Sequence, residues 1–217
     1  ADALADEIAE HYANIADTTV LGCTDSQSSA YDANANLDDG SCGDRVKIGF
    51  LLDQTSPAIS SYAANFMAAA QIAIDDLNDD GGYFELVAAD TACDTATAGQ
   101  SATVLAASGV IGVAGAACSG ASIGANNVLG PLGIPMVSYA STAPSLSDNN
   151  IHQNFWRVVP SDAGQGPAMT GMIIAVAMQN GLPDMATAMA AMNPALLHMS
   201  NDYGVGLGGA FNASWQA

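Results

Sequence analysis

Residues 110–138 read VIGVAGAACSGASIGANNVLGPLGIPMVS, and this stretch decides the fold class. It contains two short apolar runs, Val110–Ala114 and Pro135–Ser138, which are typical of buried β-strands. Between them, Gly120–Leu129 predicts a helix that ends before Pro131. Strands that are joined through a helix and are apolar on both faces pair in parallel, because the helical crossover returns the chain to the same end of the sheet. The stretch therefore predicts one strand–helix–strand unit of a parallel sheet.

The same alternation continues on both sides of this unit. On the N-terminal side we expect a strand over Val46–Leu52, a helix with Phe66, Ala70, Ile74 and Leu77 on one face that stops at Gly81-Gly82, a strand over Phe84–Ala89, and a helix from Asp94 to Ser108. On the C-terminal side we expect a strand over Phe155–Val158, a helix over Pro167–Asn180, a strand over Ala195–Met199 and a helix over Gly204–Gln216. The pattern predicts an α/β fold, a doubly wound parallel sheet with helices on both faces.

The charge of the chain excludes two classes of partner. The 217 residues include 22 Asp or Glu and 3 Lys or Arg, a net charge of −19. A nucleic-acid-binding protein needs a basic surface, and an anionic membrane would repel this one. Half of the residues are hydrophobic, which is enough for a core and excludes global disorder. Because no apolar run approaches the roughly 20 residues of a membrane-spanning helix, we expect no direct membrane insertion and a mature chain whose export signal, if it had one, is removed.

The acidic residues are concentrated at the N-terminus. Residues 1–44 hold 10 of the 22 acids and neither Lys nor Arg, which predicts an extension over residues 1–43 and a domain from residue 44. Within the extension, Leu4, Ile8 and Ile15 share one stripe at helical spacing and predict an amphipathic helix that ends before Thr18. Its apolar face needs a partner, either the body of the protein or a second copy, so self-assembly through the extension is one interpretation.

A nearly apolar-free segment, TDSQSSAYDANANLDDGS, lies between Cys23 and Cys42. Oxygen-bearing side chains recur there at every second position, which is how a short loop surrounds Ca²⁺. They are Asp32, Asn34, Asn36 and Asp38, followed by Asp39. The segment resembles the Cys-bracketed, Asp/Asn-rich calcium-type repeats of secreted marine bacterial proteins, although it lacks the terminal bidentate Glu of an EF-hand. A solvated linker that holds no metal is an equally good interpretation.

The four cysteines form two spaced pairs, the second being Cys93 and Cys118. They show no CxxC motif and no neighbouring His cluster, which argues against zinc and thioredoxin-like chemistry. Two disulfides are the economical interpretation, and with the acidic surface they predict a periplasmic or extracellular protein suited to salty water. The alternatives are four reduced, buried thiols, or a lipidated Cys23, which the acidic context before it disfavours.

Ligands of doubly wound sheets bind beyond the carboxyl ends of the strands, where this chain is rich in Ser, Thr and Gly. Ser119 opens a helix whose free N–H groups and hydroxyl suit a carboxylate. Ala140, Ser141 and Thr142 follow the next strand and can turn backbone carbonyls and a hydroxyl toward an ammonium group. These two segments therefore offer one site for the carboxylate and one for the ammonium group of a free amino acid. The alternative is that the Ser and Thr residues here only cap helices.

Six motifs, in order, resemble one family. They are VKIGFLLDQTSP, DTACD, GAACSGAS, VSYASTAP, FWRVVPSDAGQGP and HMSNDYGVGLGGAF, and they cover Arg45 to the end. They resemble the extracytoplasmic leucine/isoleucine/valine-type amino-acid-binding proteins of ABC transporters. The resemblance implies the periplasmic-binding-protein type I fold, in which two α/β lobes trap an amino acid, or a similar small amide, for uptake through an ABC permease or for a sensor.

The resemblance also implies roles for individual residues. It pairs Cys93 with Cys118, gives the ligand carboxylate to Ser119, and gives the α-ammonium group to Ala140 and Thr142. Tyr203 corresponds to a cleft-lining aromatic of the second lobe, and either Ser61 or Tyr62 corresponds to a cleft-lining residue of the first. The first lobe would cover residues 44–159, the interlobe crossing residues 160–166 and the start of the second lobe residues 167–217. The acidic partner of the ammonium group would lie beyond Ala217, which makes us expect a longer natural chain.

Enzymatic motifs are missing from the sequence. There is no GxSxG, HExxH or Walker loop, and the only histidines are His11, His152 and His198, of which we expect His152 to be solvated and His198 to be packed in a strand. GxGxxG does occur over Gly204–Gly209, but no ribose-binding acid follows it, so a tight helix entry is expected. We predict no enzyme, no catalytic residue and no cofactor other than Ca²⁺. The alternative to solute capture is an extracellular structural, adhesive or sensory protein that uses the lobe as a scaffold.

Overall fold

The computed structural model describes residues 19–217. The amphipathic helix predicted before Thr18 lies outside the described residues. Contacts divide the chain into two compact units, Ala1–Val46 with Ile72–Glu85, and Lys47–Gln71 with Leu86–Ala217. The domain boundaries predicted at residues 43, 159 and 166 remain predictions.

The acidic segment of the first unit is held by a disulfide and by short backbone pairings. Cys23 and Cys42 are joined, with 4.7 Å between their Cα atoms. Strand β1 (Leu21–Gly22), which directly precedes Cys23, pairs in parallel with β2 (Leu37–Asp38) inside the disulfide-closed loop. Because little apolar surface is available there, covalent and hydrogen bonds replace a hydrophobic core.

Arg45 adds a polar anchor to the same unit. Its guanidinium forms an ion pair with Asp25 and lies 4.7 Å from the centre of the Tyr83 ring. Hydrogen bonds from the Gln27 backbone and from Arg45 lower the pKa of Asp25. One of the three bases of the chain is therefore committed to holding the acidic loop.

The doubly wound parallel sheet predicted from the sequence is confirmed. Five strands follow: β3 (Val46–Leu52), β4 (Phe84–Asp90), β5 (Gly112–Ala114), β6 (Met136–Ser138) and β7 (Phe155–Arg157). Their order is β4-β3-β5-β6-β7, and β3, β5, β6 and β7 pair in parallel. The order reverses between β3 and β5, and such a switch point is where doubly wound sheets bind ligands.

Six helices accompany the strands in the described part of the chain. They are α1 (Ala63–Asp79), α2 (Thr95–Ala107), α3 (Ser119–Leu129), α4 (Asp162–Gln179), α5 (Met185–Ala191) and α6 (Asp202–Gln216). The main core joins β5 and β6 to α2 and α3 through Leu105, Leu129 and Met136, which are fully buried. Asp94 caps α2 as predicted, because its carboxylate accepts a hydrogen bond from the Thr97 backbone N–H. Helix α4 begins five residues earlier than predicted, with Ser161 as its N-cap.

The strand predicted over Ala195–Met199 is wrong. The structure forms neither helix nor strand there, and the side chain of Leu197 is 98% exposed. An apolar run becomes a strand only when a neighbouring strand accepts its hydrogen bonds, and in residues 19–217 no strand pairs with this run. His198 is accordingly exposed, and not packed in a core as the sequence suggested.

Two other burial predictions are also wrong. His152 is 4% exposed although it was expected to be solvated, and burial lowers its pKa. On α1, Leu77 is 48% exposed, while the adjacent Asn78 is buried. The Asn78 side chain accepts a hydrogen bond from the Phe84 N–H (2.7 Å) and donates one to the Phe84 carbonyl oxygen (3.0 Å). The backbone at the start of β4 therefore satisfies the buried amide group of Asn78.

Candidate functional site

A cavity of about 880 Å³ lies beyond the carboxyl ends of four strands of the sheet. Segments that follow β3, β4, β5 and β6 line one side, and the segment that leads into α6 lines the other. The lining residues are Ala58, Ile59, Tyr62, Phe66, Cys93, Asp94, Thr95, Ala117, Cys118, Ser119, Gly120, Ala140, Met199, Asn201, Asp202 and Tyr203. Of the predicted ligand-binding residues, Tyr62, Ser119, Ala140 and Tyr203 are therefore brought together, but the side chains of Ser61, Ser141 and Thr142 are not part of the lining.

Asp53 links segments that line this cavity, and sequence reasoning missed it. It follows β3, is 1% exposed, and accepts hydrogen bonds from the Thr91 hydroxyl and from the backbone N–H of Cys93 (3.1 Å). Its second oxygen accepts a hydrogen bond from the backbone N–H of Ala117 (3.0 Å). One buried carboxylate thus ties together the segments that follow β3, β4 and β5.

The disulfide between Cys93 and Cys118 joins two of the same segments covalently. The Cα atoms of the two cysteines are 5.3 Å apart, which is a usual distance across a disulfide bond. The two sulfur atoms and a carboxylate oxygen of Asp53 lie within 4.8 Å of one another. This trio does not suit a metal ion, because the sulfurs are bonded to each other and the Asp53 oxygens already accept hydrogen bonds.

Ser119 stands at the first position of α3 and is 2% exposed. Its Oγ accepts a hydrogen bond from the backbone N–H of Ala143 (3.2 Å), which leaves the hydroxyl proton for donation. The N-cap residue, Cys118, makes no side-chain hydrogen bond to the first turn of the helix. The N–H groups of that turn and the Ser119 hydroxyl together suit a carboxylate at the wall of the cavity.

Ala140, Ser141 and Thr142 follow β6 and face different surroundings. Ala140 lines the cavity. Ser141 is fully buried, and its hydroxyl bonds to the Ser122 hydroxyl (2.8 Å) and to the carbonyl oxygen of Ala117 (3.1 Å). The Thr142 hydroxyl donates to a carboxylate oxygen of Asp162 (2.8 Å). The hydroxyl groups of Ser141 and Thr142 therefore satisfy buried acceptors, and only Ala140 is presented to the cavity.

Asp162 is a second buried acid that sequence reasoning missed. It opens α4 and is 1% exposed; one oxygen accepts from Thr142, and no hydrogen bond is found for the other within residues 19–217. Arg157 lies nearby, donating to the Ala143 carbonyl oxygen (2.9 Å), and burial lowers the pKa of Arg157 against the opposing effect of Asp162. The Asp162 carboxylate lies next to the Ser141–Ala143 turn and was not among the residues predicted from the sequence.

Aromatic rings form an apolar wall of the cavity. The ring of Tyr62 lies 6.2 Å from that of Phe66, which lies 5.2 Å from that of Tyr139. Burial, reinforced by the charge of Asp53, raises the pKa of Tyr139 well above its usual range, so this phenol remains neutral. Tyr203 adds a partly exposed ring from the first turn of α6. Of the two residues left open by the sequence, Tyr62 lines the cavity and Ser61 does not.

The charged residues that line the cavity are acidic. Asp94 and Asp202 belong to it, and no Lys or Arg does among the described residues. Hydrogen bonds from the backbone and side chain of Thr97 lower the pKa of Asp94, which is committed to capping α2. Asp202 lies against the first turn of α3, since a Cβ atom placed on Gly120 would be 2.7 Å from its Oδ2. A side chain at position 120 would therefore have to displace this carboxylate.

The predicted calcium ligands lie in separate turns of the acidic loop. Asp32 accepts a hydrogen bond from the Asn34 N–H (2.9 Å), Asp38 from the Gly40 N–H (2.8 Å) and Asp39 from the Ser41 N–H (2.9 Å). Asn36 accepts one from the Val20 N–H (3.0 Å). The side chain of Asn34 instead donates to Asp32 (3.1 Å). The donor set has the chemistry that calcium needs, but an oxygen of Asp32, Asn36, Asp38 and Asp39 is engaged with backbone, and calcium binding stays a prediction.

The glycine motif over Gly204–Gly209 serves helix packing. Gly204 and Gly208 are buried, and a Cβ atom at Gly204 would lie 2.2 Å from the carbonyl oxygen of Met199. Gly206 and Gly209 line a second cavity of about 800 Å³ formed by α4, α6 and the Pro144–Ser145 turn. The motif permits close approach of backbone at Gly204.

Comparison with known proteins identifies relatives for part of the chain. The family described as "Receptor family ligand binding region" matches residues 65–175. Metabotropic glutamate receptor 4 of Rattus norvegicus is 51% identical over 67 residues, which are 31% of this chain and 7% of the receptor. Metabotropic glutamate receptor 8 of Homo sapiens is 49% identical over 67 residues, again 7% of its length. The chain thus matches a small part of these curated relatives.

Solved structures with the same fold cover more of the chain. An ABC transporter substrate-binding protein from Desulfitobacterium hafniense is 25% identical, with a TM-score of 0.59 over 80% of this chain and 47% of its own. A leucine-binding protein from Thermotoga maritima is 25% identical, with a TM-score of 0.60 over 79% of this chain and 45% of its own. The chain spans about half the length of these proteins. Within residues 19–217, no helix has the length and apolar character needed to cross a membrane.

Proposed function

The chain belongs to the family of receptor ligand binding regions, and on that premise we propose that its cavity captures a free α-amino acid. The observation that carries the proposal is the presence of Ser119 and Ala140 in the lining of one cavity. The Ser119 hydroxyl and the first turn of α3 bind the ligand carboxylate, and the Ala140 carbonyl oxygen accepts a hydrogen bond from the ammonium group. The amino-acid side chain then lies against the aromatic wall of Tyr62, Phe66 and Tyr203.

Asp162 strengthens the cationic end of the ligand without touching it. Its carboxylate is bonded to Thr142, two residues beyond Ala140, in surroundings where charge is weakly screened. Arg157 donates to the Ala143 carbonyl oxygen of the same turn and offsets part of this charge, so the remaining negative potential favours an ammonium group at Ala140 only weakly. The helix dipole at Ser119 favours a carboxylate, so the two ends of the site distinguish the two charges of an amino acid.

The biological setting we propose is capture outside the cytoplasm for uptake through an ABC permease. Three observations support it: the fold is shared with ABC substrate-binding proteins, a leucine-binding protein is among the neighbours, and both cysteine pairs form disulfides. Branched-chain amino acids or similar small amides are the ligands we propose, because the lining is mostly apolar. The site offers no nucleophile next to a base among the described lining residues, so we propose binding and no catalysis.

A thermal-shift screen followed by calorimetry tests this function. The 217-residue chain is screened against the common amino acids, urea and short amides, and the best ligand is titrated into wild type, Ser119→Ala and Ser61→Ala. We expect a ligand-dependent rise in melting temperature that Ser119→Ala abolishes. Ser61→Ala makes the same chemical change at an exposed residue outside the lining and should bind as wild type does. If no compound shifts the melting temperature, the proposal is wrong.

A sensory role is the second candidate, favoured by the identity shared with metabotropic glutamate receptors. Both roles need the same ligand cavity, but they differ in partner. Uptake requires that the chain deliver labelled ligand to a permease in reconstituted vesicles, whereas sensing requires a ligand-dependent change in an attached output domain. A scaffold or adhesive role predicts neither response.

A further inference from the structure

Asp202 reaches the helix end that the proposed ligand carboxylate uses. It is the first residue of α6, and it lines the same cavity as Ser119 and Gly120 of α3. A Cβ atom built on Gly120 would lie 2.7 Å from Asp202 Oδ2 and 3.0 Å from Thr95 Oγ1, which places the carboxylate directly against the backbone of the first turn of α3. Gly120 and Ser119 are consecutive, so the acid adjoins the residue assigned to the ligand carboxylate.

Electrostatics explain why a carboxylate is stable in this position. The first turn of a helix carries a partial positive charge and N–H groups without intrahelical partners. Cys118 provides no side-chain cap to α3. Asp202 therefore brings a negative charge to an N-terminus that lacks a side-chain cap, and a ligand carboxylate would be attracted to the same turn for the same reason.

Two carboxylates at one helix end repel each other. No Lys or Arg among the described lining residues offsets this repulsion. Asp94, the other acid of the lining, is bonded to Thr97 at the start of α2 and does not contact Gly120 in the way that Asp202 does. The conflict is therefore specific to Asp202.

We propose that Asp202 competes with the ligand carboxylate for the first turn of α3 and thereby sets the preference of the cavity between a carboxylate and a carboxamide. This inference rests on the proposed function, because it assumes that the amino acid binds at Ser119. A ligand that ends in a carboxamide keeps the hydrogen-bonding shape but carries no negative charge, so Asp202 does not repel it. A free amino acid still binds, but more weakly than it would without Asp202.

The size of the effect follows from the exposure of the acid. Asp202 is exposed, so its charge is partly screened by water. At a separation of about 4 Å in largely aqueous surroundings, repulsion between two unit charges changes a binding constant by about fivefold. Asp202→Asn preserves the size of the side chain and removes the charge, and Asp202→Glu preserves the charge.

Isothermal titration of L-leucine and L-leucinamide, at a pH where both amines are protonated, tests the inference. Asp202→Asn should bind leucine about fivefold more tightly than wild type, and leucinamide should change by less than about twofold. Asp202→Glu should keep the wild-type ratio of the two affinities. Asp80→Asn removes the same charge at an exposed residue outside the lining and should also leave the ratio unchanged. If Asp202→Asn yields little folded protein, Asp202→Ala serves in its place.

The possible outcomes separate the two claims. In one outcome, wild type binds leucine and Asp202→Asn leaves the ratio of the leucine and leucinamide affinities unchanged. This result would overturn the role of Asp202 and would support the proposed function. Weaker leucine binding by Asp202→Asn would also overturn it, because the acid would then assist the ligand. Failure of wild type and of every variant to bind either compound would overturn the proposed branched-chain ligand, and the role of Asp202 in its binding.

Discussion

Replacement of Asp53 by Asn should destabilise the chain far more than its size suggests. The carboxylate is 1% exposed and accepts hydrogen bonds from Thr91, Cys93 and Ala117. Asparagine has nearly the same shape, but its amide NH₂ must face one of these donors, so at least one buried donor loses its acceptor. Hydrogen bonds to the remaining amide oxygen also become weaker because the acceptor is no longer charged.

The magnitude can be estimated from these contacts. A hydrogen bond to a charged group contributes about 1.5–3 kcal/mol, and a buried donor left unpaired costs about 1–3 kcal/mol. Since the amide oxygen retains part of the bonding, we expect Asp53→Asn to lower the free energy of unfolding by about 2–4 kcal/mol. The same substitution at the exposed Asp80 should change it by less than about 0.5 kcal/mol.

Equilibrium unfolding in urea, with the disulfides intact, measures both variants against wild type. A fall in the transition midpoint for Asp53→Asn with an unchanged slope would indicate a loss of stability without a change in the exposed area. Stability of Asp53→Asn within about 0.5 kcal/mol of wild type would refute the claim that this carboxylate holds the segments after β3, β4 and β5 together.

Three further predictions concern the wall, the pH dependence and the acidic loop. Tyr62→Ala removes an exposed stacking ring and should weaken binding of an apolar amino acid by about three- to tenfold in calorimetry, whereas Ser61→Ala, its neighbour outside the lining, should not. Hydrogen bonds from Thr97 lower the pKa of Asp94 in the folded state. The contribution of Asp94 to stability is therefore fully present above the ordinary carboxyl pKa of 3.8 and is lost as the pH falls through the lower pKa of the folded state. Urea unfolding should show a smaller loss of stability on acidification for Asp94→Asn than for wild type, and equal losses would contradict the capping role. If the acidic loop binds calcium, calcium should raise the melting temperature and the double variant Asp38→Asn/Asp39→Asn should abolish the rise, while a melting temperature indifferent to calcium and chelator would remove that prediction.

The fold was predictable because its signals are local. Strand β3 was predicted with the bounds that the structure has, because polar residues flank this apolar run and mark both of its ends. The run over Ala195–Met199 carries the same local signal, yet it forms no strand, because pairing depends on what lies beside it. Leu77 and Asn78 show the same limit for a helix: the polar residue is buried because the backbone of Phe84 bonds to it, and periodicity contains no information about that partner.

The site was predictable to the extent that topology alone creates it. Ser119 and Ala140 follow neighbouring parallel strands, so they had to meet at one end of the sheet. The directions of Ser141 and Thr142 depend on buried acceptors at Ala117 and Asp162, which sequence spacing does not reveal. Asp53 was missed for a related reason, because a lone acid after a strand is common and only its burial makes it important.

A crystal structure of the chain with the best ligand from the screen tests the central claim most directly. We predict that the ligand carboxylate lies within hydrogen-bond distance of Ser119 Oγ and of the first-turn N–H groups of α3, and that the ammonium group donates to the Ala140 carbonyl oxygen. Electron density for the ligand outside this cavity, or an amino acid bound with its ammonium group at Ser119, would contradict it.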